Sequence, residues 1–460
     1  MTASFSIKKF CLTMTTVLSS IICCYCNADD VAMDGFLTRT LKGTYAVTST
    51  VDIVISGQAN TDLLVCVPYP ESNTYQDIIW LDAIPSELIS AFPETGERFI
   101  RYARHQSNLV SDKIKRNFIF RCWSIVANLN LVTRLYPYDK NSDTYRIYTR
   151  KPEGDNLQID PSNSWVVAQC NAINEKVGDN PLDYARLAYA LVASQFSYLT
   201  EEPNLETIIA NKGGQCGGLT AVIVSLLRAN GIPARPLVCK RPSGSNHVFG
   251  EFYLQNYGWV PFDITKDLGK ENGFVRFGSY GDNCIIMTRD MHQSVTSEGG
   301  RRKIIKLLQS HSFWYWYSGS TTKVSVSNSI YGEQGCLRSE KVFIPYSWID
   351  NLFMQGSMTS SQYEETIDSD LDGDGMCVWQ EYVAGSDPKE GNDVFTAHIS
   401  IGLDGRPQIT YSPVFENEVE KARRKYTTYG KVRLDDNDWS PIPSGKEEDY
   451  NFFKVTEEMR

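Results

Sequence analysis

Gly213-Gly214-Gln215-Cys216-Gly217-Gly218-Leu219-Thr220-Ala221-Val222-Ile223-Val224-Ser225-Leu226-Leu227-Arg228-Ala229-Asn230-Gly231 decides the fold of the middle of this chain. A glycine-rich turn opens it, apolar residues then recur at helical spacing, and Gly231 supplies a stop. The pattern predicts a helix that begins at Cys216. A thiol there meets unpaired N–H groups and the positive end of the helix dipole, which favour thiolate. Downstream, His247 begins the alternating run Val248-Phe249-Gly250-Glu251-Phe252-Tyr253-Leu254. Asn256-Tyr257-Gly258 turns the chain and Trp259-Val260-Pro261-Phe262-Asp263 returns. That hairpin sets His247 and Asp263 roughly side by side, so a carboxylate can orient the imidazole. Among His105, His247, His292, His311 and His398, only His247 lies between the helix and the Trp-x-Pro-x-Asp strand. Each residue also has a plainer reading: a buried core cysteine, a satisfied surface histidine, a turn aspartate in Asp-Ile-Thr. Trp259 is most simply core.

The separate motifs carry a family resemblance. Gly214-Gln215-Cys216, the helix, Leu227-Arg228-Ala229-Asn230-Gly231-Ile232-Pro233-Ala234-Arg235, then His247, then Gly258-Trp259-Val260-Pro261-Phe262-Asp263 resemble the transglutaminase-like superfamily over about Asp183 to Asp263. The resemblance implies a papain-like core with a Cys-His-Asp triad, here Cys216, His247 and Asp263. Tyr198, Asn211 and Gln215 are candidate second oxyanion donors, each with a plainer structural reading.

The chain has 460 residues, which suggests two to four domains, with 42% apolar and 22% charged content. Its net charge is −10, and loss of a leader carrying Lys8 and Lys9 takes it to −12. That balance argues against nucleic acid or anionic membrane as the main partner. Lys8-Lys9, the apolar run Phe10 to Ile22 and Cys26-Asn27-Ala28 read as a secretory signal peptide over residues 1–28. The run is short for a membrane span. A secreted or periplasmic bacterial protein is expected. Four of the twelve cysteines fall in the leader, and Cys66, Cys122, Cys170, Cys216, Cys239, Cys284, Cys336 and Cys377 remain. One or two disulfides are possible in an oxidising compartment, and sequence does not assign them. No CxxC pair supports a zinc ribbon in the mature chain.

The expected architecture is multidomain α+β. Residues 35–150 read as an N-terminal β-sandwich, with strands at Thr44 to Ile55, Leu63 to Pro70 where it ends at prolines, Phe118 to Ile125 and Tyr145 to Tyr148. Val67-Pro68-Tyr69-Pro70 and the strands after it resemble the β domain that precedes many bacterial transglutaminase-like cores. Residues 152–290 are the catalytic core, with a helix over Ala185 to Ser194. Residues 291–340 read as a core tail or connecting segment, containing a short basic helix at Arg301 to Leu308 and an aromatic strand at Phe313-Trp314-Tyr315-Trp316-Tyr317. Residues 341–460 form a C-terminal module: a calcium loop at 370–381 and a small β domain with strands near Thr396 to Ile401, Pro407 to Tyr411, Tyr426 to Val432 and Phe452 to Val455.

In Asp370-Leu371-Asp372-Gly373-Asp374-Gly375-Met376-Cys377-Val378-Trp379-Gln380-Glu381, carboxylates fall at positions one, three, five and twelve, with glycine at six. The expected ligands to a structural Ca2+ are Asp370, Asp372, Asp374, Met376 through its carbonyl, and Glu381. A register starting at Asp368 ends on Trp379 and is disfavoured. No entering helix is evident, so a single dockerin-like or thrombospondin-type-3-like loop is expected.

The triad implies a thiol enzyme acting on amides of a protein or peptide through a thioester, with no cofactor needed for chemistry. A peptidase-type hydrolase is the first reading. Amine transfer onto glutamine, deamidation, and a non-catalytic secreted scaffold or binding protein are the alternatives. Oligomeric state is not legible.

Overall fold

The structure is a computed structural model that describes residues 32–56, 61–106, 110–200, 204–297, 299–308, 315–317, 323–338, 342–353, 358–401, 407–412, 424–431, 440–441 and 452–459. The expected leader, residues 1–28, and Phe313-Trp314 of the aromatic strand lie outside the described residues. The chain forms two compact units, Cys23–Glu333 and a second that includes Gln334–Arg460.

In the first unit, β1 (Leu37–Ser56), β2 (Thr61–Pro68), β3 (Gln76–Leu81), β4 (Ile89–Ala91), β5 (Arg98–Gln106) and β6 (Val110–Ala127) come first. β1 pairs antiparallel with β6 from Leu37↔Ala127 to Ile55↔Val110, and β3 joins β6. β4, β5 and β2 form a second antiparallel sheet. Alternation in β1 puts Val51, Ile53 and Ile55 on one face, and these pack with Leu63, Val65 and Val67 of β2 and Ile100 and Tyr102 of β5.

The chain then enters α1 (Asp143–Tyr148), α2 (Ser164–Val177), α3 (Pro181–Gln195), β7 (Ser197–Tyr198), α4 (Leu205–Asn211), β8 (Gly213–Gly214) and α5 (Cys216–Ala229). Tyr145 to Tyr148, expected as a strand, is helical instead. Ser142 caps the helix by accepting from the N–H of Tyr145 at 3.2 Å, a local signal stronger than the Tyr-Arg-Ile-Tyr alternation. α5 is buried throughout Gly217 to Arg228, and its Leu, Val and Ile side chains join those of α2 and α3 in one cluster. Each fully buried aliphatic side chain of this kind contributes about 1.5–3 kcal/mol. The helix ends in a Schellman motif: Ile232 N–H donates to Leu227 O at 2.9 Å and Gly231 N–H to Arg228 O at 3.0 Å, with Gly231 at φ +69°.

Next come β9 (Ala234–Lys240), β10 (Asn246–Leu254), β11 (Gly258–Phe262), β12 (Ser279–Tyr280), β13 (Ile285–Thr288), β14 (Gln293–Thr296), β15 (Arg302–Ile305), β16 (Tyr315–Tyr317) and β17 (Lys323–Arg338). The core sheet runs β11-β10-β9-β13. Arg301 to Leu308 is not the expected basic helix: its β-branched Ile304 and Ile305 lie in β15, paired with β14 as Ser294↔Ile304 and Gln293↔Ile305. The segment after the core also returns to the earlier sheets. β12 extends the β6 edge, β17 lies beside β1, and β16 pairs with β2.

In the second unit, the end of β17 pairs with β18 (Val342–Pro345), followed by α6 (Tyr346–Phe353), α7 (Ser360–Ile367) and α8 (Val378–Ala384). β19 (Thr396–Ile401) and β20 (Pro407–Ser412) form a hairpin, and β21 (Arg424–Lys431) pairs with β22 (Ser440–Pro441) and β23 (Phe452–Met459). Contrary to expectation, a helix does enter the acidic loop: α7, held by a Thr359–Gln362 capping box.

Candidate active site

β8 runs parallel to β7 and delivers the chain to the start of α5. The approach is close: a Cβ on Gly213 would fall 2.5 Å from Leu199 Cδ1 and 3.1 Å from Ser197 O. Glycine is favoured here by close contact, not by turn conformation. Cys216 follows as the first residue of α5 and is only partly buried, so its sulfur remains reachable beside the first-turn N–H groups. Gln215 commits its side-chain N–H to the carbonyl of Thr200. Tyr198 is 52% exposed on β7, and Asn211 is exposed at the end of α4.

His247 lies near the start of β10, opposite Cys239 of β9, and is buried. The Cys239 S–H donates to the His247 carbonyl at 3.3 Å. Asp263 lies just past β11. The β10–β11 pairing ends at Gly250↔Phe262, so His247 and Asp263 are not cross-strand neighbours. Their side chains span the gap: His247 Nε2 and Asp263 Oδ2 are 2.8 Å apart. Gly250 permits this arrangement, because a Cβ there would strike the Phe262 ring at 2.3 Å.

Asp263 is fixed from several sides. Its Oδ1 accepts from Thr265 N–H at 3.2 Å and Thr265 Oγ1 at 2.6 Å. Its backbone N–H donates to Arg276 O at 3.1 Å, and its carbonyl accepts from Tyr189 O–H at 3.0 Å. The same O–H lies 2.8 Å from Asp267 Oδ2, so its one proton is shared between the two acceptors. Asp267, fully buried, further accepts from the N–H groups of Val275 and Arg276.

Burial alone would push the His247 imidazole down. Hydrogen bonding and charge attraction from Asp263 and from Cys216 outweigh it and raise the group to about 10. Burial likewise disfavours the Asp263 carboxylate, yet the His247 and Thr265 hydrogen bonds hold it below its ordinary value. Nε2 is spent on the carboxylate, which leaves Nδ1 as the nitrogen for the sulfur.

Sequence reading missed Asp282, whose carboxylate lies within 4.8 Å of the nearest His247 and Asp263 polar atoms. Arg241 holds it at 2.8 Å and Arg276 stands at 3.7 Å. These three come from separate loops with no motif. Trp259 is core: it packs against Tyr148 and Tyr253, under the Arg235 guanidinium at 3.9 Å.

In the acidic loop, Asp370 Oδ1 and Oδ2 accept from the N–H groups of Gly373 and Gly375. Asp372 Oδ1 and Asp374 Oδ1 accept from Asp374 N–H and Met376 N–H. Asp372 Oδ2, Asp374 Oδ2 and both oxygens of fully buried Glu381 have no hydrogen-bond partner. Burial and the neighbouring Asp372, Asp374 and Asp370 charges push Glu381 up to about 7. Asp368 is engaged by Arg338 at 2.7 Å, which removes it from the ligand set. Converging, unpartnered carboxylate oxygens are the donor set a hard cation takes.

A family model of the transglutaminase-like superfamily matches residues 171–264, so the chain carries a transglutaminase-like domain within a mixed α/β multidomain fold. No curated protein is significantly similar to the chain. Among solved structures, a candidate cysteine protease from Cytophaga hutchinsonii is 11% identical with a TM-score of 0.42, over 67% of this chain and 95% of that one. The periplasmic domain of TgpA from Pseudomonas aeruginosa, bound to ethylmercury, is 13% identical with a TM-score of 0.28, over 50% of this chain and 91% of that one. A candidate protease from Parabacteroides distasonis is 8% identical with a TM-score of 0.20, over 59% of this chain and 62% of that one. No helix among the described residues is long and apolar enough to cross a membrane.

Proposed function

We propose that the protein is an exported thiol enzyme that cleaves amide bonds of a protein or peptide through a Cys216 thioester. The observation that carries this reading is the 2.8 Å contact of His247 with Asp263, with the partly buried Cys216 at the start of α5 helping to hold the imidazole up. An imidazolium held up to about 10 stands beside a helix-terminal sulfur as the proton donor of the reaction. The thiolate attacks the amide carbon, and the Cys216 N–H and helix terminus stabilise the oxyanion. His247 gives its Nδ1 proton to the departing amine as the C–N bond breaks, leaving a thioester. Water then adds, His247 takes its proton, and the acid departs.

Incubation with a peptide mixture, with and without a primary amine, tests this by mass. Hydrolysed products are expected. Amine-coupled or deamidated products instead would assign transfer or deamidation, and a Cys216→Ala variant that retains turnover would sink the triad. Export rests on Lys8-Lys9 and the apolar run to Ile22.

We further propose that Asp370, Asp372, Asp374, the Met376 carbonyl and Glu381 hold a structural Ca2+. Its charge offsets the converging carboxylates of Asp370, Asp372 and Asp374 and the buried Glu381, and ties α7 to α8. It supplies no chemistry to the thiol site. Calorimetric titration with Ca2+ is expected to show binding that Glu381→Gln abolishes. Absence of heat in the native chain removes the site.

A further inference from the structure

Asp282 lies beside the His247–Asp263 pair with a guanidinium at 2.8 Å and another at 3.7 Å. Arg241 sits in the turn that precedes His247, where its carbonyl accepts from Gly244 N–H and its N–H donates to Ser245 O. Arg276 sits in the loop whose carbonyl accepts from the Asp263 N–H. The Arg276 backbone is thus bonded to that of Asp263, and the Arg241 backbone closes the turn that leads into His247.

Their donors are largely unspent. Arg241 makes one side-chain hydrogen bond among the described residues, to Asp282. Arg276 makes none, since 3.7 Å is an ion pair without a hydrogen bond. A guanidinium presents five N–H donors in a fork that matches a carboxylate. The side chains remain 28% and 25% exposed, so this edge faces solvent. Gly281 makes room for one of them: a Cβ there would fall 2.8 Å from Arg276 Nη1. The two guanidinium groups face the single Asp282 carboxylate, which leaves N–H donors free for a second one.

We propose that Arg241 and Arg276, held apart and oriented by Asp282, form a subsite for a carboxylate on the acyl donor, so that the thiol selects amides flanked by an acidic side chain or a free carboxyl group. Asp282 is a positioning residue here: it fixes the two forks without touching substrate. The proposal rests on Cys216 acting as a thiolate.

Iodoacetate and iodoacetamide test it on the full chain. Both form an S–C bond and expel iodide, and they differ in carboxylate against carboxamide. The neutral reagent reports any change in the thiol itself, so the rate ratio at Cys216, normalised to a free thiol, isolates charge recognition. The imidazolium attracts iodoacetate in every variant, so the decisive comparison is between wild type and Arg241→Gln or Arg276→Gln. The ratio is expected to fall about fivefold or more in each. Matched peptides with glutamate or glutamine beside the reacting amide should lose their kcat/KM preference in parallel, mainly through KM. An unchanged ratio in both variants overturns the subsite. A thiol inert to both reagents in the wild type overturns the thiolate reading beneath it, a separate failure.

Discussion

At the scale of single residues, the chemistry depends on a proton held against burial. His247 keeps its proton until pH rises through about 10, so amide turnover limited by the general acid should decline only on that alkaline side. Asp263→Asn removes the principal interactions that raise the imidazole. It should move the alkaline limb to lower pH and cut kcat/KM about 10²–10⁴-fold, as read from a pH–rate profile. An unmoved limb would separate Asp263 from the mechanism. His292 shows the opposite case. It is buried, accepts from Gln158 N–H at 3.0 Å through Nε2, and is pushed down to about 4, first by desolvation. The folded state therefore refuses a proton that the unfolded chain takes below about 6.5. Stability should fall as pH drops from about 6.5 to about 4, by up to about 3 kcal/mol. Urea midpoints at pH 7 and pH 5 measure this, and His292→Asn, suited to the φ of +59° there, should flatten the difference.

At the scale of elements, the loop from Asp263 to Arg276 is held by one buried carboxylate. Asp267→Asn weakens bonds to Tyr189, Val275 and Arg276 at once and should cost about 2–4 kcal/mol. It should also raise KM for acidic peptides more than for neutral ones, because Arg276 loses its anchor. Equal KM changes would leave Asp267 a purely structural role. The elements that carry the triad were legible because each is coded locally: a glycine approach and helix stop around Cys216, a turn between two alternating strands for His247 and Asp263. The loop partners were not, since Arg241, Arg276 and Asp282 meet only after β9, β11 and β12 are in place, and none lies in a periodic run. Two misreadings have a common cause. The Ser142 cap and the Thr359–Gln362 box are start signals that outweigh short-range periodicity. At Ile304-Ile305 the reverse held, with β-branched residues prevailing over basic neighbours.

At the scale of the whole molecule, the two units have separate apolar clusters, one around α5 and one around Ile349, Ile367 and Val378. Calorimetry should resolve two transitions. Ca2+ should raise only the transition of the second unit, and Glu381→Gln should cancel that rise; a shift of both would show that the units unfold together. Within the first unit, β12 has a consequence for transplanting the chemistry. Its backbone pairs with β6 at Val126↔Ser279 and Ile125↔Tyr280. The Tyr280 ring stacks on Phe249 of β10 at 3.6 Å. A graft of residues 183–263 into another scaffold would carry all three triad residues and lose this brace. On the proposed reading, such a chimera would keep Arg241 but lose Arg276 and Asp282, and with them the acyl-donor preference. A graft that also exchanges β6 and residues 264–282 is expected to keep the proposed preference.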